Sequence, residues 1–283
     1  MGFSLPLLAF VSVTAGAVAA FVVSRNPFRA LATDSPNGVA AVIALRAAAR
    51  RDGVKAWLAA ARHRTTAAFL ALCAGVAVFV IGWLTVGVIA LLVRGSASVA
   101  DVDAGVAQWG YDHASSLSVK ALDGISLLGS SVVVGVLALL LAIAEWWRRH
   151  TVFIVLFIAA VVIGDGVITV GAKLAMDRAR PALNPVAHTL GPSFPSGHAS
   201  LAAAFFAAAA LLLSQHGGKT RTGVLGGGAV MIAVAVALSR VLLDLHWLTD
   251  VVAGLAVGWG WFAFCVLAFD GSLRQTRVVR SHD

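Results

Sequence analysis

The chain has 283 residues, 60% of them hydrophobic and only 12% charged, with a mean hydropathy of +0.92. One soluble core cannot hold that much apolar side chain, so a water-soluble globular domain is excluded and an integral membrane protein is expected. The net charge of +8 does not point to nucleic acid, because the basic residues lie in short segments between apolar runs rather than on one soluble face.

Seven apolar segments of membrane-spanning length or close to it follow one another, at residues 3–23, 66–93, 125–144, 151–172, 197–214, 224–243 and 248–269. Runs this long close their own backbone hydrogen bonds in lipid and lack barrel alternation, so the predicted fold is an all-α polytopic helix bundle. The first segment carries no positive residue before its apolar run and has Arg25 just after it, the reverse of a cleaved signal, and is expected to be a retained transmembrane helix. Residues 35–64 mix Val39, Val42, Ile43, Leu45, Trp57 and Leu58 with arginines, a pattern for a topology determinant or an interfacial helix. Residues 94–124, with Trp109 and Tyr111, are expected to be an outer loop that partly covers the membrane surface, and Trp146, Trp147 and Trp247 read as interfacial belt residues. Cys73 and Cys265 fall inside apolar runs and read as small buried hydrophobes.

The loops orient the bundle. Residues 24–64 carry eight Lys and Arg, and alternate loops add Arg148, Arg149, Lys219, Arg221, Arg274, Arg277 and Arg280, so that fifteen of the 21 lie on one side. The positive-inside rule makes that side cytoplasmic, with the amino terminus outside and the carboxyl terminus inside, as expected for a bacterial plasma membrane protein. Six remain outside: Arg94, Lys120, Lys173, Arg178, Arg180 and Arg240. Four of these gather near the ends of segments four and six, where helix counting also places Ser196 to His198, His246 and Asp250 at the same depth.

Lys173, Arg180 and Arg240 each cost several kcal/mol if left unpaired beside hydrocarbon, so an anion is expected among them. Arginine grips phosphate oxygens through a fork, and lysine adds a point charge. Ser196 suits the N-cap of segment five, where its amide and that of Gly197 would face the anion with the positive end of the helix dipole. His246 and Asp250, four apart, share a face on a helix, so the carboxylate can hold one ring N–H while the other nitrogen attacks. His198, across the anion, is placed to act as general acid. No cofactor or metal is expected. Each of these residues alone has a plain reading, a snorkelling cation or an interfacial histidine; their convergence is what singles them out. Asp244, four after Arg240, is expected to pair with it, Asp165, about 12 Å deeper than Lys173, to hydrogen-bond inside the bundle, and Gly254 and Gly258 to let segment seven pack closely on a neighbour. His188 carries no assigned role.

Lys173 with Arg180-Pro181, Pro195-Ser196-Gly197-His198, and Ser239-Arg240 with His246 and Asp250 resemble the three-part signature of the type 2 phosphatidic acid phosphatase superfamily, eleven identities with gaps of six, five and three. The resemblance spans roughly residues 66–269 and implies a six-helix phosphatase domain, so that 1–65 would be an extra amino-terminal helix and basic segment and 270–283 a cytoplasmic tail. It also implies metal-independent removal of the terminal phosphate of a lipid phosphate or diphosphate, of the undecaprenyl diphosphate or phosphatidic acid type, through a phosphohistidine on His246. His198 would be the acid, Asp250 the orienting group, and Lys173, Arg180, Ser196, Gly197 and Arg240 the phosphate contacts. The alternative readings are a lipid phosphotransferase, a vanadate-dependent haloperoxidase-like enzyme, which uses a similar constellation, and a non-catalytic lipid-phosphate binding or transport protein. Acceptor labelling, halide oxidation and binding without turnover, respectively, would reveal them. Partners are the bilayer and the lipid substrate, with no nucleic acid; oligomeric state has no signature in the sequence.

Overall fold

The architecture is that of a computed structural model describing residues 80, 84, 87–88, 90–92, 95–185, 187, 190–215 and 218–278, with only the backbone for 270–278. The predicted amino-terminal helix, most of segment two, Cys73, His188 and the tail beyond 278 lie outside the described residues. Among the described residues, seven helices follow the helical positions 80, 84, 87–88, 90–92 and 95: α1 (Ala97–Asp112), α2 (Ser116–Leu127), α3 (Ser131–Arg149), α4 (Val152–Met176), α5 (Gly197–Ser214), α6 (Lys219–Leu242) and α7 (Leu248–Val278). Of these, α3 to α7 are long and apolar enough to cross a membrane. The protein is an all-α integral membrane protein.

The stretch expected to be an outer loop is instead the helix pair α1 and α2. At 16 and 12 residues they reach about 24 and 18 Å, short of the roughly 30 Å of a hydrocarbon core. Ser115 and Ser118 form a reciprocal capping box that starts α2, and Ser130 caps α3 through the Val133 amide at 3.3 Å. Segment three therefore begins at Ser131 rather than 125, with a turn at 128–130 between two helices that hydropathy runs together.

Helix α5 is the axis of the bundle. Its alanines are small enough for α6 and α7 to come close, the means of association available where lipid removes any hydrophobic drive between helices. A Cβ on Gly254 would lie 2.5 Å from the Ser196 carbonyl oxygen, and one on Gly258 would collide with that of Ser200, so the expected close packing of segment seven is made against α5. Leu201, Ala204, Phe205, Ala208 and Leu212 of α5 meet Val134, Ile154, Phe157 and Val161 of α3 and α4, with the free thiol of Cys265 buried among them. Leu139 and Leu140 of α3 and Ile163, Val167 and Leu174 of α4 point outward, as lipid-facing side chains do. Asp165 is fully buried and accepts the Ser200 hydroxyl at 2.5 Å, the intrabundle hydrogen bond expected of it.

At the end that carries Arg148 and Arg149, Glu145 is fully buried between them, at 3.1 and 2.6 Å. Arg149 also donates to Gln215 and to the Leu212 carbonyl, tying the ends of α3 and α5. These arginines thus fix packing at this end of the bundle.

Candidate active site

The site lies at the opposite end of the bundle, where three chain breaks meet. Helix α4 ends at Asp177, whose left-handed backbone (φ 43°) turns the chain into Arg178 and Arg180. Helix α6 ends at Leu242; Asp244 (φ 53°) reverses the chain, and the amides of Leu245 and His246 return to the Arg240 carbonyl at 3.1 and 3.2 Å. Helix α5 begins at Gly197 after a cis Phe194–Pro195 bond, with Ser196 as N-cap. The loops are stitched together by Ser193, whose amide donates to the Arg178 carbonyl at 2.8 Å and whose hydroxyl donates to that of Ala179 at 3.1 Å.

His246 precedes α7 rather than lying on it, because Asp250 itself closes the helix start by accepting the Trp247 amide at 3.0 Å. The four-residue spacing still brings His246 Nδ1 to 3.4 Å from Asp250 Oδ2. Arg180 Nη1 donates to His246 Nε2 at 3.1 Å. An arginine offers no acceptor, so Nε2 carries the lone pair and Nδ1 the proton, the tautomer a nucleophilic Nε2 requires. Burial pulls the His246 pKa down to about 4, opposed by the hydrogen bond and charge of Asp250, so the ring is neutral at pH 7.

The three predicted cations converge. Lys173 Nζ donates to the Pro192 carbonyl at 2.6 Å. Arg180 spans the loops through Leu190 and Gly191 (2.7 and 2.9 Å), Leu245 (2.6 Å) and Pro192 (3.3 Å), so most of its donors already serve carbonyls; burial lowers its pKa, opposed by Asp250. Arg240 is buried, donates from Nη1 to Ser126 Oγ of α2 at 2.8 Å, and has no partner for Nε among the described residues. None of the three makes an ion pair with a carboxylate among the described residues. His198, at the second position of α5, lies within the electrostatic reach of Arg240, His246, Arg180 and Lys173. A Cβ on Gly129 would lie 2.7 Å from the His198 carbonyl oxygen, so the turn between α2 and α3 packs directly under it.

Two expectations for Ser196 divide. It is the N-cap, but its amide donates to the Asp250 carbonyl at 3.0 Å, which leaves the amides of Gly197 onward to face an anion. Its hydroxyl is buried without a partner among the described residues. Gly197 borders open space: a Cβ there meets no atom within 4 Å, so the lack of a side chain leaves room for a ligand rather than for protein.

Several participants had no assigned role in the sequence. Arg178 binds Asp250 Oδ1 at 2.5 Å, Asp103 Oδ2 at 2.8 Å and Thr249 Oγ1 at 2.8 Å. Asp103, on α1, also accepts the Thr249 amide and hydroxyl at 3.0 and 2.6 Å. Trp247 is no simple belt residue, since its ring lies 5.4 Å from the Arg178 guanidinium and its Nε1 donates to the Ala179 carbonyl at 2.8 Å. Asp244 forms no ion pair with Arg240 among the described residues; its reversed backbone carries it away, and burial raises its pKa to about 6.

A family model described as the PAP2 superfamily matches residues 152–274. The chain is 31% identical over 163 residues to phosphatidylglycerophosphatase B of Bacillus subtilis (strain 168), covering 56% of this chain and 78% of that protein. The chain belongs to the PAP2 superfamily. It is 33% identical over 117 residues to a lipid A 1-phosphatase of Rhizobium etli, covering 38% of this chain and 46% of that one. The crystal structure of a transmembrane PAP2 type phosphatidylglycerolphosphate phosphatase from Bacillus subtilis superposes with a TM-score of 0.61 at 27% identity, covering 69% of this chain and 96% of that one. The protein is therefore an integral membrane phosphatase.

Proposed function

We propose that the protein removes the terminal phosphate of a membrane lipid through a phosphohistidine formed on His246 Nε2. The observation that carries this reading is the distribution of charge. Arg178 pairs with Asp103 and Asp250, whereas Lys173, Arg180 and Arg240 make no ion pair with a carboxylate among the described residues and lie beside a helix start and open space at Gly197. Three such cations in one place call for a dianionic ligand.

A phosphate there replaces the Arg180 contact to His246 Nε2, freeing the lone pair. Nε2 attacks phosphorus in line, the bond from phosphorus to the lipid oxygen breaks, and His198 protonates that oxygen as it leaves. The imidazole becomes cationic as it is phosphorylated, and Asp250 stabilises it through Nδ1–H. Lys173, Arg180, Arg240 and the amides from Gly197 onward stabilise the charge on the equatorial oxygens. Water, deprotonated by His198, then cleaves the phosphorus–nitrogen bond and releases inorganic phosphate.

The substrate class we favour is a glycerophospholipid carrying a terminal phosphate, phosphatidylglycerol phosphate first, because a relative of which the chain covers 78% bears the name phosphatidylglycerophosphatase B. Phosphatidic acid and undecaprenyl diphosphate present the same terminal group. The fifteen-to-six bias of basic residues supports a site on the outer face of a bacterial plasma membrane. Phosphate release from a panel of these three lipids by the purified protein tests the reading. His246→Ala, still folded, should release none, and turnover should persist in excess chelator; full activity in that variant, or strict dependence on a divalent metal, sinks it.

A further inference from the structure

We propose that Asp103 and Arg178 are positioning residues that hold the Asp250 carboxylate in the one orientation that presents Oδ2 to His246, so that α1 is part of the catalytic apparatus rather than a surface cover. This inference rests on the reading of His246 as nucleophile and extends it to a helix outside the family model's match, which begins at residue 152.

Asp250 is held at both ends. Its Oδ1 accepts Arg178 Nη1 at 2.5 Å, and its Oδ2 accepts the Trp247 amide at 3.0 Å while facing His246 Nδ1 at 3.4 Å. The long contact to His246 is the one most easily lost if the carboxylate rotates, and Arg178 on Oδ1 together with the Trp247 amide on Oδ2 blocks that rotation. Arg178 is fixed in turn by Asp103 Oδ2 at 2.8 Å, by Thr249 Oγ1 at 2.8 Å and by the Trp247 ring. Asp103 closes the circuit on the start of α7, accepting the Thr249 amide and hydroxyl, and so caps from another helix the very turn that bears Asp250. Asp103 and Asp250 are both essentially unexposed, at 1% and 0%. A planar guanidinium can bridge two buried carboxylates through separate nitrogens, which a single ammonium cannot do. Two carboxylates against one guanidinium leave a net negative charge beside an imidazole that becomes positive during transfer.

The test uses the full chain in detergent micelles with phosphatidylglycerol phosphate and phosphatidic acid, comparing Asp103→Asn, Arg178→Lys, the double variant and His246→Ala. Displacing a catalytic group by about 1 Å costs roughly 100-fold, so Asp103→Asn should lower kcat by about 10- to 100-fold with KM within about threefold of wild type. If Asp103 acts through Arg178, the double variant is no slower than Arg178→Lys alone. Wild-type kcat in Asp103→Asn, losses that multiply in the double variant, or a loss confined to KM overturns the proposal. Should Asp103→Asn not purify folded, Thr249→Val, which removes one hydroxyl from the bridge, carries the test: kcat lowered with KM unchanged supports the proposal, and wild-type kcat overturns it. An active His246→Ala unseats the nucleophile reading itself, whereas an inactive one beside a fully active Asp103→Asn unseats only the role of α1.

Discussion

Replacing Asp250 by asparagine keeps the shape of the side chain and removes its charge, and the surroundings leave the new amide no good orientation. If its nitrogen faces Arg178, two donors meet where a 2.5 Å ion pair stood; if it faces His246 and the Trp247 amide, it meets the donors that Oδ2 accepted at 3.4 and 3.0 Å. The first arrangement strands a charge at Arg178, and the second drives the ring proton onto Nε2 and occupies the attacking lone pair. Breaking one side of a buried pair costs about 3–5 kcal/mol, and if that cost falls on the transition state it corresponds to a kcat lower by roughly two to four orders of magnitude. KM should stay within about threefold, because Asp250 sits behind His246 and does not touch the phosphate site. Initial-rate phosphate release over a range of lipid concentrations separates the two constants. A variant that folds and keeps kcat within threefold of wild type would refute the assignment of Asp250 as the orienting group.

Other consequences are equally open to measurement. With its pKa depressed to about 4, His246 stays a free base at mildly acidic pH, so kcat/KM, corrected for ionisation of the lipid phosphate, should hold as pH falls through 6.5 and drop only near 4; an acid limb at 6.5 contradicts the burial argument. The same shift predicts stability that is full above the ordinary histidine value of about 6.5 and declines as pH falls towards 4, because only the unfolded chain readily takes the proton there. Gly258→Val should lower the melting temperature through overpacking of about 1–3 kcal/mol against Ser200 and Ala203, whereas Gly260→Ala, where a Cβ meets nothing within 4 Å, should not. Glu145→Ala takes the carboxylate from Arg149, whose side chain is 5% exposed, leaves its bonds to Gln215 and the Leu212 carbonyl, and should cost about 3 kcal/mol of stability with kcat unchanged in the folded fraction, since it lies at the far end of the bundle.

Much of the site is legible in the sequence because its chemistry sits at helix ends, where short spacings survive folding. Lys173 to Arg180, the turn at 195–198 and Arg240 to Asp250 each span one break in the chain, and the membrane puts all three breaks at one depth. The contacts made across long stretches of chain are another matter. Asp103 reaches Arg178 over 75 positions, and Arg240 reaches Ser126 over 114. The gap of six from Lys173 singles out Arg180, but nothing in the sequence says that Arg178 beside it turns back to hold two carboxylates. Hydropathy likewise cannot separate α2 from α3, because the turn at 128–130 interrupts the backbone without interrupting the apolar run. The role of Trp247 was hidden for a related reason: an interfacial tryptophan and one stacked under a guanidinium look alike until the partner is placed.

One atom, His246 Nε2, carries the proposed phosphoryl transfer. Mixing the protein with lipid labelled in its terminal phosphate and quenching in alkali, which preserves phosphohistidine, would capture the intermediate for peptide mapping. Label should appear on the peptide containing His246, disappear in His246→Ala, and accumulate in a variant of His198 given a substrate whose leaving group needs no protonation. Label on another residue, or steady phosphate release with no trapped label on the pre-steady-state timescale, would contradict it.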